Sequence, residues 1–186
     1  MIMYDLPREF VINGNTYHIR NGGDYRAILD TIAAVIDSDM TENQRIFCAL
    51  YIFYEEKLEE SDVQEAAEKM MWFIGGGADD NTRGVQENKP LMDWEQDFSL
   101  LAPPISKALG VQDIRAEKYI HWWTFLGGYM EIGECAFATI ISIRKKLQKG
   151  KKLDKWEQEY LRDNRDKVQL KARLTSAERE WLEQDW

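Results

Sequence analysis

The side chains best suited to chemistry in this chain are two cysteines and two histidines: Cys48, Cys135, His18 and His121. Nucleophilic catalysis by Cys135 needs a base, and His121 lies fourteen residues upstream across an expected helix turn. A core thiol beside a histidine that satisfies its neighbours accounts for the same pair. Glu131 and Glu134 flank Gly133 and have the residue types of an acid–base carboxylate pair. Glutamates that precede or cap a helix are the commoner use of that spacing. A metal centre needs several clustered His, Cys or carboxylate ligands, and the cysteines form no Cys-x-x-Cys pair. Asp79-Asp80-Asn81 lacks the glycine and distal glutamate of a calcium loop. Gly75-Gly76-Gly77-Ala78-Asp79 closes a helix, whereas a phosphate cradle uses glycines that open one. No Gly-x-Gly-x-x-Gly and no Gly-Lys-Ser/Thr occurs. The chemistry-bearing residues therefore point away from an enzyme, a cofactor or a metal, and toward a protein that works by binding.

Three features suit binding. His121-Trp122-Trp123-Thr124-Phe125 places consecutive aromatics about 100° apart on an expected helix, so that one is buried while the next reaches a groove. Core packing is one reading of Trp122, Trp123 and Phe125; a protein-binding hot spot is the other. Pro103-Pro104 is expected to break or restart a helix and so to shape a groove. The run Arg144 to Lys155, with Lys145, Lys146, Lys151 and Lys152, reads either as a solvated helix end or as contact for an acidic partner.

The elements that must position these residues are mainly α-helical: a helical bundle with a short N-terminal β-hairpin. Glu9–Ile12 and Thr16–Arg20 are β-branched, aromatic runs joined by Asn13-Gly14, the dipeptide of a type I′ turn. A lone hairpin is marginal in water, so it must pack on helices or be extended by another chain's strand. Asp24 caps a helix whose apolar face carries Ile28, Leu29, Ile32 and Val35. Thr41–Gln44 is a capping box opening a second helix, apolar enough through Ile46, Phe47, Leu50, Tyr51 and Phe53 to imply near-complete burial. Ser61–Gln64 is another box, opening a helix that Gly75 ends. Beyond it the pattern predicts helices over 93–102, 105–109, 116–130, 134–148 and 153–174, and a terminal helix opened by Thr175–Glu178. The resulting division is residues 1–74 as a hairpin with three helices, 75–91 as a flexible linker able to hinge, and 92–186 as a C-terminal helical unit.

Bulk properties set limits. In 186 residues, 44% are hydrophobic and seven are tryptophan, ample for a packed core. No apolar stretch approaches the ~20 residues that span a bilayer, and the acidic, proline-bearing start does not read as a signal peptide. Two cysteines inside apolar patterns suit buried, reduced thiols. The net charge of −9 is uneven. Residues 144–173 hold 12 basic against 5 acidic residues, net +7, and the rest holds 12 against 28, net −16. So acidic a bulk disfavours nucleic acid as partner, because phosphate binding rests on counterion release. It leaves open association of the basic segment with an acidic protein, or with another copy.

The blocks Trp94-Glu95-Gln96-Asp97-Phe98, Ile120-His121-Trp122-Trp123-Thr124-Phe125-Leu126, Ser142-Ile143-Arg144 and Lys149-Gly150-Lys151-Lys152-Leu153 carry a further signal. Together with Asp24-Tyr25-Arg26 and Met40-Thr41-Glu42 they resemble a family of bacteriophage tail assembly chaperones. The genes of that family lie between tail tube and tape-measure genes in long-tailed phages and prophages of Gram-positive bacteria. The resemblance implies a protein of the host cytoplasm that coats the tape-measure protein, keeps it soluble, gives way to tail tube protein, and is absent from the finished virion. Self-association into a homo-oligomer is compatible with it. A structural completion or connector component of the virion is the alternative from the same gene neighbourhood, and a nucleic-acid-binding regulator is a third reading, carried by the basic segment alone.

Overall fold

The computed structural model describes residues 5–78 and 90–171. The fold is mainly α, with a two-stranded antiparallel hairpin near the N-terminus. Residues 79–89, most of the expected linker, and residues 172–186, with the expected Thr175 capping box, lie outside the described residues. Two compact units divide the rest: 5–78 with 119–126, and 90–118 with 127–171. Residues 119–126, assigned by the sequence pattern to the C-terminal unit, cluster with the N-terminal one.

In the first unit β1 (Glu9–Ile12) pairs with β2 (Asn15–His18), with Ile12 opposite Asn15. Asn13 and Gly14 take φ of 49° and 86°, the two left-handed positions that a type I′ turn requires. Phe10 and Ile12 point inward and Val11 outward, the two-residue period of a strand with one buried face. The hairpin is held by α3 (Val63–Ile74) and the turn before it. Phe10 lies edge-on to Trp72 and Phe73. The Asp62 carboxylate accepts from Asn13, Asn15 and Tyr17 at 2.9, 2.9 and 2.7 Å. These donors hold the Asp62 carboxyl well below the usual carboxylate range.

Helices α1 (Tyr25–Val35) and α2 (Glu42–Phe53) begin where capping chemistry places them. Asp24 accepts from the Arg26 amide, and Thr41 and Gln44 form a complete capping box. The end of α2 is closed from a distance: the Arg20 guanidinium donates to the carbonyls of Tyr51, Ile52 and Tyr54. The Ser61–Gln64 box does not form. Ser61 donates instead to Asp62, which the hairpin has already recruited, and a 3-10 turn (Glu60–Asp62) leads into α3.

The second unit holds α4 (Trp94–Leu109), the latter half of α5 (Trp122–Met130), α6 (Ala136–Gln148), α7 (Lys155–Asp163) and α8 (Arg165–Val168). Three expectations change. α4 runs through Pro103 and Pro104 without a break. Pro103 is exposed and Pro104 half-buried, so the lost N–H groups fall away from the buried stripe of Leu101, Ala102 and Ile105. Firm ends at Asp93 and at left-handed Gly110 keep the helix whole. The helix expected from Ala116 starts only at Trp122, because 119–121 is extended and pairs with the chain before α1. The helix expected over 153–174 breaks at Asn164 and ends at Val168, where the Arg144 guanidinium takes the carbonyls of Lys167 and Val168. Val168 packs on Ile140 and Ile143 of α6, with Leu153, Tyr160 and Leu161 around them.

Candidate protein-docking site

The segment His121–Phe125 is the keystone of the first unit's interior. Its backbone is stitched to the chain before α1: Tyr25 N–H donates to Ile120 O at 2.9 Å, and Trp122 N–H to Gly23 O at 2.8 Å. Both indole N–H groups then close the end of α3, Trp122 donating to Ile74 O at 3.0 Å and Trp123 to Phe73 O at 2.9 Å. Those carbonyls belong to the last helical turn, where the i+4 amides of a continuing helix are missing; Phe73 O also accepts from the Gly76 amide at 3.0 Å. Phe125 stacks on Tyr25 at 4.6 Å between centroids and on Trp122 at 5.5 Å. Trp122 and Phe125 are buried and Trp123 is half-buried. The tryptophan-rich motif thus has its structural use, and Trp122 and Phe125 have no surface to present to a partner.

His121 is spoken for on both nitrogens. Nδ1 faces the Trp123 amide at 3.1 Å and must accept, so Nε2 carries the proton toward Pro7 O at 3.0 Å. Burial holds its pKa below the ordinary histidine value. Cys135, the nucleophile considered with it, is half-exposed and caps α6, its sulfur accepting from the Ala138 amide at 3.5 Å. Cys48 is likewise a half-exposed free thiol, so neither cysteine is the buried core residue expected. Glu131 and Glu134 are both exposed. Among the described residues no group of three or more His, Cys, Asp or Glu is placed to hold a metal. Again among the described residues, no helix is long and apolar enough to cross a membrane.

The basic run resolves into two parts. Arg144 is buried against Asp97. Lys145, Lys151 and Lys152 are exposed, and Lys146 is half-buried in an ion pair with Glu157 of α7. Pro103 and Pro104 lie in an unbroken helix, so the kink expected to shape a groove there does not form.

An uncovered apolar surface among the described residues of the first unit is the outer face of α2. Phe47 is 72% exposed and Tyr51 74%, one helical turn apart, and Ile46 is 40% exposed. With Leu50, Leu58 and Val63 they line an apolar groove of about 450 Å³, edged by Asn43, Glu56 and Lys57. Burying a side chain of this size is worth about 1.5–3 kcal/mol, so such a face is costly to leave in water without a use. Its far wall is Glu56, Lys57 and Leu58, in the loop that runs from Glu55 to Glu60. Glu56 accepts from the His18 amide and pairs with its ring, which raises the His18 pKa, while Glu59 and Glu60 stand exposed. The sequence pattern missed this groove because an apolar residue on every side of a helix reads as burial. The available signal was two separate i,i+4 pairs, Ala49–Phe53 facing inward and Phe47–Tyr51 facing out.

The fold and this surface define a mainly helical protein with an open groove lined by aromatic and aliphatic side chains. The chain belongs to the bacteriophage Gp15 protein family, which matches residues 3–170. It is accordingly a phage structural or morphogenesis protein. No curated protein and no solved structure matches the chain.

Proposed function

We propose that this protein is a tail assembly chaperone that binds and solubilises the tape-measure protein in the host cytoplasm and helps recruit tail tube protein during tail morphogenesis. The observation that carries the reading is the α2 groove, an apolar surface with two large aromatics in water on a phage structural or morphogenesis protein. A long helical filament protein exposes apolar stripes along its length. A groove of this kind takes such a helix by its i, i+4 anchors. Many equivalent shallow contacts along one filament supply avidity while each remains displaceable, as replacement by tube protein requires. Phe47 and Tyr51 are the anchors in this reading, in place of Trp122 and Phe125.

The test is co-expression with the tape-measure protein of the same phage, followed by pull-down and sizing of the soluble fraction. The reading expects a soluble complex with many copies of this chain, and tape measure that is insoluble alone or with Phe47→Ser/Tyr51→Ser. A stoichiometric band of this chain in purified tails, with no tape-measure complex, would replace it with a structural virion component.

A further inference from the structure

The two edges of the hairpin differ. Ile19 N–H donates to Arg8 O at 2.8 Å, so Arg8–Ile19, Phe10–Tyr17 and Ile12–Asn15 are the hydrogen-bonded pairs of the register. The backbone groups of Glu9 and Val11 therefore point away from β2, along the outer side of β1. On the outer side of β2 the groups of His18 are taken: its N–H donates to the Glu56 carboxylate and its carbonyl accepts from Glu55 N–H. Among the described residues no hydrogen bond reaches the N–H or C=O of Glu9 or Val11. Pro7 O, two residues upstream on the same side, is held by His121, and beyond Val11 the chain turns at left-handed Asn13. Neither proline nor bulge blunts the open stretch between them. A groove of about 680 Å³ runs beside it. Phe10 and Asn13 line this groove from the hairpin, with no residue of β2, and Gln64, Glu65, Glu68 and Trp72 line it from α3.

We infer that this protein pairs with a second copy of itself through β1, the two outer edges joining antiparallel about a two-fold axis at Phe10 into one continuous sheet. Register singles out this occupant. Pairing centred on Glu9 would set like charges face to face. Pairing centred on Val11 would need Asn13 as its next rung, and Asn13 is left-handed. Centred on Phe10, Glu9 of each copy lies opposite Val11 of the other, and every open donor and acceptor on both edges is used. The same register matches charge. Arg8, Phe10 and Ile12 share the face of β1 turned toward α3, by the two-residue period of a strand. Arg8 of one copy then lies opposite Ile12 of the other, at the end of the groove where Asn13 meets the start of α3. Glu68 stands exposed in that groove. Among the described residues neither Arg8 nor Glu68 has an ion-pair partner, and Arg8 rests over the Tyr119 ring at 5.5 Å. Each copy so offers the other one cation and one carboxylate, while Phe10 and Trp72, the apolar end of the groove, lie at the axis. A strand of an unrelated protein would meet the backbone groups alone. Such an isologous contact closes at two copies. It uses none of the residues that line the α2 groove and stands or falls separately from the function proposed above.

Sedimentation velocity on the full chain, over a concentration series reaching on the order of 1 mM, tests the pairing. The wild type passes from monomer to dimer along the series. Val11→Pro removes an outward N–H that the hairpin itself does not use, so circular dichroism and melting temperature match the wild type while dimerisation weakens by about tenfold or more. Arg8→Glu weakens it by about threefold to tenfold, and Arg8→Glu/Glu68→Arg restores it, because the swapped charges meet again across the axis. Both positions are exposed, and this second series reads the same pairing without touching the backbone. A wild type that stays monomeric throughout overturns the inference, and leaves the edge to a strand of another protein. So does a dimer that Val11→Pro leaves at wild-type strength, or a charge-swapped variant that associates no more tightly than Arg8→Glu alone.

Discussion

Arg144 and Asp97 meet in a buried fork, the two terminal nitrogens of the guanidinium donating to the two carboxylate oxygens at 2.7 and 2.9 Å. The other donors of Arg144 reach the carbonyls of Leu91, Lys167 and Val168, so one side chain ties α4, α6 and α8 together. Breaking such a pair from one side strands a buried charge. Asp97→Ala should therefore cost about 3–5 kcal/mol, read from the urea midpoint, while Asp97→Leu with Arg144→Met should recover part of the loss. Arg144→Lys should not rescue, since a single ammonium cannot reach both carboxylate oxygens and three carbonyls. A loss below about 1 kcal/mol for Asp97→Ala would contradict this account of the second unit.

The two histidines should titrate on opposite sides of the ordinary value. His18 is pushed up by Glu56 and Glu9, and His121 is pushed down by burial. The raised group adds stability that is complete below the unfolded pKa and is lost as pH rises through its folded pKa. The depressed group adds stability present above the unfolded pKa and lost as pH falls through its folded pKa. Mild acid should thus loosen the first unit through His121, whose protonated Nδ1 would no longer accept the Trp123 amide. With only two histidines, their ring resonances give the answer directly, and a His121 pKa at or above that of His18 would refute the arrangement.

Gly23 is a backbone position that a side chain cannot occupy. Its φ is +82°, and a Cβ there would lie 2.9 Å from the Phe73 ring and 3.2 Å from His121 Nε2. Gly23→Ala should destabilise by roughly 1–3 kcal/mol, with a lowered melting temperature as the readout. An unchanged melting temperature would show that the stitched segment 119–122 is not held as described.

Much of this architecture is written locally and some is not. The Asn13-Gly14 turn, the Asp24 cap and the Thr41–Gln44 box depend on neighbours in sequence, and each forms as its residue types require. Apart from the prolines of α4, whose tolerance is local, the departures come from distant partners. Ser61 gives up its cap to an Asp62 that the hairpin has claimed, and 119–121 leaves the helical pattern to pair beside Asp24. Arg144 stops the last long helix by taking its carbonyls. The same cause separates buried from exposed aromatics. Trp122 and Phe125 are unusual in sequence because they hold long-range contacts, whereas Phe47 and Tyr51 look like ordinary core residues until α1 and α3 are seen to cover only one side of α2.

Side chains on the two sides of that helix should therefore respond differently to truncation. Phe53→Ala should cost about 3–5 kcal/mol, being a buried inward-facing ring of α2 lost from its edge-on contacts with Tyr54 and Phe73. Phe47→Ser and Tyr51→Ser should change stability by about 0.5 kcal/mol or less. Parallel thermal melts check the contrast, and comparable losses on both faces would mean that α2 is covered.

Co-expression of the tape-measure protein with the wild type and with Phe47→Ser/Tyr51→Ser, followed by sizing of the soluble fraction, addresses the central claim most directly. The account expects a large soluble complex with the wild type and aggregated tape measure with a variant that is itself folded. Tape measure equally soluble with both, or associated with neither, would contradict it.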